Sequence, residues 1–193
     1  EIYWAEAIVL KSSSCSFEMT GGTITWTCGI SNLGGSIKLP GGNMNGSHNL
    51  HYNGYSYENI MGSLRNYNGN ATIGSITGLN YFEINTDITL NGFKNKALVF
   101  LFNKSKLLIK TAIQDSLIFN LFPNTTAIRS ALLTETTPNL EGLIVAKGDG
   151  YTFTQSDLSK VKLFYNSSNQ WKLVLENNCI VIRANSNSIT DAT

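Results

Sequence analysis

The chain has 193 residues and a formal net charge of +1, and only 14% of its residues are charged, against about a quarter in ordinary soluble proteins. That length suits one domain with a full hydrophobic core, and no shift of composition marks a linker. Its lysines are scattered rather than striped, which excludes the basic footprint of a nucleic-acid binder, and no basic amphipathic helix addresses a membrane surface.

Polarity comes instead from amides and hydroxyls. Asn43, Asn45, Asn49, Asn53, Asn59, Asn66, Asn68 and Asn70 crowd one region, and serine, threonine and 17 glycines are spread along the chain. Carboxylates lose their charge near pH 4 whereas amides do not titrate, so such a coat keeps its character in acid. An AT-rich genome would give the same bias.

Apolar alternation of period two dominates, and strand formers recur between Gly and Asn turns, which predicts an all-β fold, an Ig-like or pilin-like antiparallel sandwich. In chain order the expected strands are 2–10, 15–20, 23–28, 36–39, 50–57, 72–77, 81–90, 97–102, 107–113, 117–122, 127–133, 143–146, 151–154, 161–165, 170–176 and 179–184. No segment carries a helical stripe over three turns, and no fixed repeat period is evident.

Two hairpins can be registered residue by residue. In CSFEMTGGTITWTC a Gly21-Gly22 turn sets Thr20 against Thr23, Phe17 against Trp26 and Cys15 against Cys28. Opposed Cα atoms of such a non-hydrogen-bonded pair lie about 4.5 Å apart, at the short end of disulfide geometry. Cys15 with Cys28 is thus one pairing; a bridge from either to Cys179, or three reduced thiols, are the others. In QWKLVLENNCIVIRA an Asn177-Asn178 turn sets Leu175 against Ile180, Leu173 against Ile182 and Trp171 against Ala184. Residues 161–165 would join this pair as a third antiparallel strand.

Signs of chemistry are sparse. His48 and His51 lack further ligands nearby, so no metal is expected, and Gly148-Asp149-Gly150 offers too few oxygens for calcium. Phosphate-binding glycine motifs, nucleophile elbows and Cys/His dyads are absent, so the reading is not an enzyme and needs no cofactor. Five N-glycosylation sequons, at Asn45, Asn70, Asn103, Asn124 and Asn166, point to N-linked glycans. The start at Glu1, without methionine, reads as processing after a signal peptide, hence an extracellular, cell-surface location.

The opening EIYWAEAIVL puts Ile2, Trp4, Ile8 and Leu10 on one face, interrupted by Glu6, and Tyr3, Ala5, Ala7 and Val9 on the other. An edge strand apolar on both faces invites aggregation unless it is covered. The serines after Lys11 would make a hinge, dividing the chain into a donor strand and hinge (1–14) and a sandwich head (15–193).

A short apolar N-terminal strand, a serine hinge, an all-β body, an Asn/Ser/Thr-rich surface and repeated sequons resemble the archaeal thread-type pilins, whose architecture is like that of chaperone-usher pilins. That resemblance implies a glycosylated subunit of a helical homopolymer, assembled by donating Ile2 to Leu10 to the next copy. Other expectations from the residues are a viral capsid or spike protein with a jelly roll, and a secreted adhesin or carbohydrate-binding module whose Tyr52, Tyr55, Tyr57 and Tyr67 stack on sugars.

Overall fold

The computed structural model describes residues 6–25, 29–46, 48–52, 55–60, 62–122, 139–164 and 170–185, with backbone alone for 48–52, 55–60 and 122. It is all-β, but its strands run side by side in the parallel sense and wind as a solenoid. The first coil contains β1 (Glu6–Leu10), β2 (Ser16–Glu18) and β3 (Thr23–Thr25), and the second β4 (Gly29–Asn32), β5 (Ser36–Leu39) and β6 (Asn43–Asn45). An antiparallel pair, β7 (His48–Tyr52) and β8 (Tyr55–Ile60), interrupts the winding. It resumes with β9 (Ser63–Asn66), β10 (Asn70–Ile73), β11 (Tyr81–Ile84), β12 (Ile88–Leu90), β13 (Ala97–Phe102), β14 (Leu107–Ile109), β15 (Leu117–Phe122) and β16 (Ile144–Gly148). A five-residue helix α1 (Gln155–Ser159) precedes β17 (Val161–Leu163), and the hairpin β18 (Trp171–Glu176) and β19 (Cys179–Ala184) ends the described chain.

Strands β1, β4, β9, β11, β13, β15 and β17 form one wholly parallel sheet, sheet I. Sheet II runs β18-β19-β16-β14-β12-β10-β5-β2 and is parallel except where β19 returns antiparallel to β16 and β18. A short third wall pairs β3 with β6 and reaches Thr77.

Stacking in register makes columns. In sheet I, Ile8, Ile30, Leu64, Phe82, Val99, Phe119 and Leu163 lie one above the next and face the core. Leu39, Ile73, Leu90 and Ile109 answer them from sheet II. Each side chain inside a column thus has like neighbours about 4.8 Å above and below, and sheets I and II enclose one core between them.

The antiparallel sandwich is therefore corrected to parallel coils. A parallel sheet covered on both sides reads as continuous apolar runs rather than alternation. ALVFLF of β13 and YFEI of β11 are buried at every position. The run expected as one strand over 81–90 turns at Asn85-Thr86-Asp87 and belongs to two sheets. In the same way 50–57 resolves into β7 and β8, and 151–154 leads into α1 with Thr154 as its N-cap. The expected strand 127–133 lies outside the described residues.

Of the two hairpins, the second forms in the register expected, with Trp171 opposite Ala184, Leu173 opposite Ile182 and Leu175 opposite Ile180. Asn177 and Asn178 take φ of 47° and 57°, as a primed turn requires. Residues 161–163, however, join sheet I beside β15 instead of this hairpin. The first hairpin does not form. β2 pairs in parallel with β5 and β3 with β6, because Met19 to Gly22 carry the chain round a corner between two walls.

Candidate assembly site at the first coil

Leu10, within the segment 1–14 expected as donor strand and hinge, is buried in the same core as Ile30 and Ile37. Strand β1 pairs in parallel with β4 of its own subunit, through Ile8 with Ile30 and Leu10 with Asn32. Of the expected donor residues, Leu10 is buried, Ile8 half-buried, and Ala7 and Val9 exposed. Ile2, Tyr3, Trp4 and Ala5 lie outside the described residues.

Glu6 interrupts the apolar pattern because it belongs to the other face. A register shift between Glu6 and Ile8 sets Glu6 opposite Gly29, beside Ser31, whose Oγ donates to Glu6 Oε1 at 2.6 Å. Arg65 Nη1 donates to the same oxygen at 3.2 Å, and Arg65 Nε lies 3.3 Å from Glu83 Oε2. Tyr81 Oη donates to Glu83 Oε1 at 2.6 Å. Arg65 and Glu83 are almost wholly buried, which is tolerable for charges only when they are paired and hydrogen-bonded. Burial first, then the neighbouring Glu83 carboxylate, push the Tyr81 phenol well above its usual range. The acid that a donated strand would need to satisfy elsewhere finds its cation at home.

Backbone polarity at this end is set by the same pairing. Leu33 N–H donates to the Leu10 carbonyl at 2.8 Å, so Leu10 faces β4. In a parallel ladder alternate residues bond to opposite sides, which turns the N–H and C=O of Val9 toward the free edge. Among the described residues β1 has a ladder partner on one side only. Three large apolar side chains stand exposed among them, and two, Val9 (37%) and Leu33 (42%), belong to this coil and the next.

The segment 11–14 is exposed, with Ser12 Oγ 2.8 Å from Ser14 Oγ and Cys15 N–H donating to the Ser12 carbonyl at 3.0 Å. Cys15 and Cys179 are free thiols. The Ser12 hydroxyl, 3.3 Å from sulfur, and then backbone bonds from Ser12 and Lys11, hold the Cys15 thiol below its usual range. Cys28 lies outside the described residues, and the hairpin that would have set it opposite Cys15 is absent.

The turns leading from sheet I to sheet II hold a network that sequence reasoning missed. Asn32, fully buried, accepts from Gly35 N–H (2.7 Å) and donates from Nδ2 to Asn66 Oδ1 (2.8 Å). Asn66 in turn donates to Thr86 Oγ1 (2.8 Å) one coil on, and Asn103 to Asn85 Oδ1 (2.7 Å) beyond that. Glycine is needed where these turns touch: a Cβ on Gly69, at φ 110°, would strike the Gly35 carbonyl. An Asn at a strand end followed two residues on by a Gly-Gly or Asn-Gly pair, as at Asn32 with Gly34-Gly35 and Asn66 with Asn68-Gly69, is the signal that was available.

Sequons differ in setting. Asn45 and Asn70 are exposed, Asn103 belongs to the turn network, and Asn124 and Asn166 lie outside the described residues. The backbones of His48 and His51 are on β7, and Asp149 pairs with Lys110 at 3.4 Å. Among the described residues no three of His, Cys, Asp and Glu gather as metal ligands, and no helix is long and apolar enough to cross a membrane. No family model, curated protein or solved structure matches this chain.

Proposed function

We propose that the chain is a non-catalytic structural subunit of an extracellular filament, adding copies of itself end to end at the first coil. The observation that carries this reading is that β1, the end of a seven-strand parallel sheet, has no ladder partner on its outer edge among the described residues. Donation of the opening strand is not the route proposed, because its described half is already paired and ion-anchored within the subunit. Addition at the edge keeps the pairing of β1 with β4. The Val9 edge of one copy joins the far edge of β17 in the next, by β-augmentation in the parallel sense of the sheet. Those edges lie at opposite ends of one coil stack, so the contact is heterologous and propagates.

Its strength is modest. Three to five backbone bonds at about 0.5–1.5 kcal/mol each stand against an association cost of about 4–15 kcal/mol. Covering Val9 and Leu33 adds part of the 1.5–3 kcal/mol that full burial of each would give. Assembly is therefore expected to depend on concentration. A jelly-roll capsid is disfavoured, since that architecture is antiparallel. The adhesin reading keeps one observation in its favour, the exposed row of Ser16, Lys38, Asn70 and Thr72 on the outer face of sheet II.

Light scattering and electron microscopy across a concentration series test the proposal with Val9→Pro. Proline there removes an N–H that faces solvent while the ladder to β4 is kept. Wild type should form fibres that lengthen with concentration, and the variant should stay monomeric with unchanged circular dichroism. A wild type that remains monomeric throughout, or a variant that assembles equally well, overturns it.

A further inference from the structure

The two fully described sequons differ in what their amide nitrogen is doing. Asn103 sits at φ 52° in a tight turn. Its Nδ2 donates to Asn85 Oδ1 at 2.7 Å, and the Ser105 hydroxyl, buried, donates to the Ile84 carbonyl at 2.8 Å. A sugar on that nitrogen would stand in the turn network against the neighbouring coil. Asn70 opens β10 with its backbone fixed, its N–H bonded to the Gly35 carbonyl at 3.0 Å and its own carbonyl accepting from Asn32 Nδ2 at 3.2 Å. Its side chain is exposed on the outer face of sheet II, as is that of Thr72, two residues along the same face.

We propose that Asn70 is a glycan attachment site of the folded chain and that Asn103, despite its sequon, is not. In the reaction Asn70 Nδ2 bonds to the anomeric carbon of a lipid-linked diphosphate sugar, the C–O bond to phosphate breaks, the lipid diphosphate leaves with the electron pair, and the amide proton passes to the transferase's base. The sugar then stands over Ser36 and Ser16, which lie in register with Asn70 across β5 and β2. It shields the side of the coil stack from lateral association and leaves the ends clear. The inference rests on the extracellular location proposed above.

Secretion from a eukaryotic cell line supplies transferase and donor whatever the native location, so it reads attachment independently of the fibre assay. Peptide mapping of the secreted folded fraction, with enzymatic deglycosylation marking occupied asparagines as aspartate, is expected to mark Asn70 and leave Asn103 as asparagine. Asn70→Gln should remove one glycan from the intact mass. Thr72→Ser, which makes both sequons serine-type, should leave Asn70 occupied. An unmodified Asn70, Asn103 occupied to the same degree, or loss of Asn70 occupancy in Thr72→Ser each overturns the proposal.

Discussion

Asn32→Asp changes one atom of a fully buried side chain and isolates what the amide does. In the native protein Nδ2 faces three acceptors, Asn66 Oδ1 at 2.8 Å, the Gly35 carbonyl at 3.0 Å and the Asn70 carbonyl at 3.2 Å. Oδ1 faces the Gly35 and Gly34 N–H groups at 2.7 and 3.3 Å. An ionised aspartate keeps the second set and turns an oxygen toward the first. Losing a donor to buried acceptors costs about 1–3 kcal/mol per group, and the new carboxylate has no cation among these partners. A loss of about 3–5 kcal/mol at neutral pH follows, or roughly 6–20 °C in Tm for a chain of this size.

The pH dependence of that loss is the sharper readout. Burial among acceptors favours the neutral acid, so the variant's carboxyl is raised in the folded state above its unfolded value near 3.9. Protonation restores one donor. The variant's deficit is therefore full above its folded pKa and shrinks as pH falls below it. Urea unfolding from pH 3 to 8 measures this, with Asn32→Leu as a control whose deficit stays flat. An aspartate variant as stable as wild type, or one whose deficit does not shrink in acid, would refute the account of the turn network.

Asp157 makes the opposite prediction. Burial alone would raise its pKa, but bonds from the Thr154 and Ile113 N–H groups, the Thr154 hydroxyl and the Tyr151 phenol outweigh it, and the net shift is downward. Its contribution is thus present above the unfolded pKa and lost as pH falls through the lower folded one. Asp157→Asn, which sets an NH₂ against a backbone N–H, should cost about 2–3 kcal/mol at neutral pH and flatten the acid limb of the unfolding curve; an unchanged acid limb would count against it. Alkylation of native protein should modify Cys15 readily and Cys179, buried, only after unfolding, and recovery of a Cys15–Cys28 peptide would contradict the free thiol.

How much of this could be read beforehand is seen best strand by strand. Ala97–Phe102, Leu117–Phe122 and Cys179–Ala184 have the expected boundaries, because apolar or β-branched runs, broken by one polar residue at most, leave little choice. The closing hairpin has its register because two adjacent asparagines tolerate positive φ. Direction of pairing was not legible. Strand propensity is the same for either sense, and a Gly-Gly corner between two walls looks like a hairpin turn in sequence. The repeat was hidden by its insertions: residues 8, 30, 64, 82, 99, 119 and 163 of one column leave intervals from 17 to 44 residues. Gly29–Asn32 and Ser63–Asn66 escaped notice because Gly, Ser, Arg and Asn dilute the apolar signal that strands usually carry. Of the candidate site, the burial of Leu10 and the need of Glu6 for a partner were legible, whereas the exposure of Ala7 and Val9 runs against the expectation that both faces are covered. That Arg65 is that partner was not legible, since 59 residues separate them.

The abundance of asparagine, read first as a surface property, proves to be divided between two roles. Asn32 and Asn66 occupy the column in which neighbouring coils place Leu10, Ile84, Leu101 and Leu121, so an amide there displaces an apolar side chain and must recover its cost by bonding along the stack. It does so because the next coil places an acceptor within reach, Asn66 Oδ1 for Asn32 and Thr86 Oγ1 for Asn66. Outward asparagines such as Asn70 face no such repeat and are left to solvent or to modification. The same residue type is thus fixed inside the turns and permissive outside them, and only the coil register tells the two apart. Charged residues could take the inner role only with alternating sign, as Arg65 and Glu83 do one position earlier on the same strands, because like charges stacked at the coil spacing would repel.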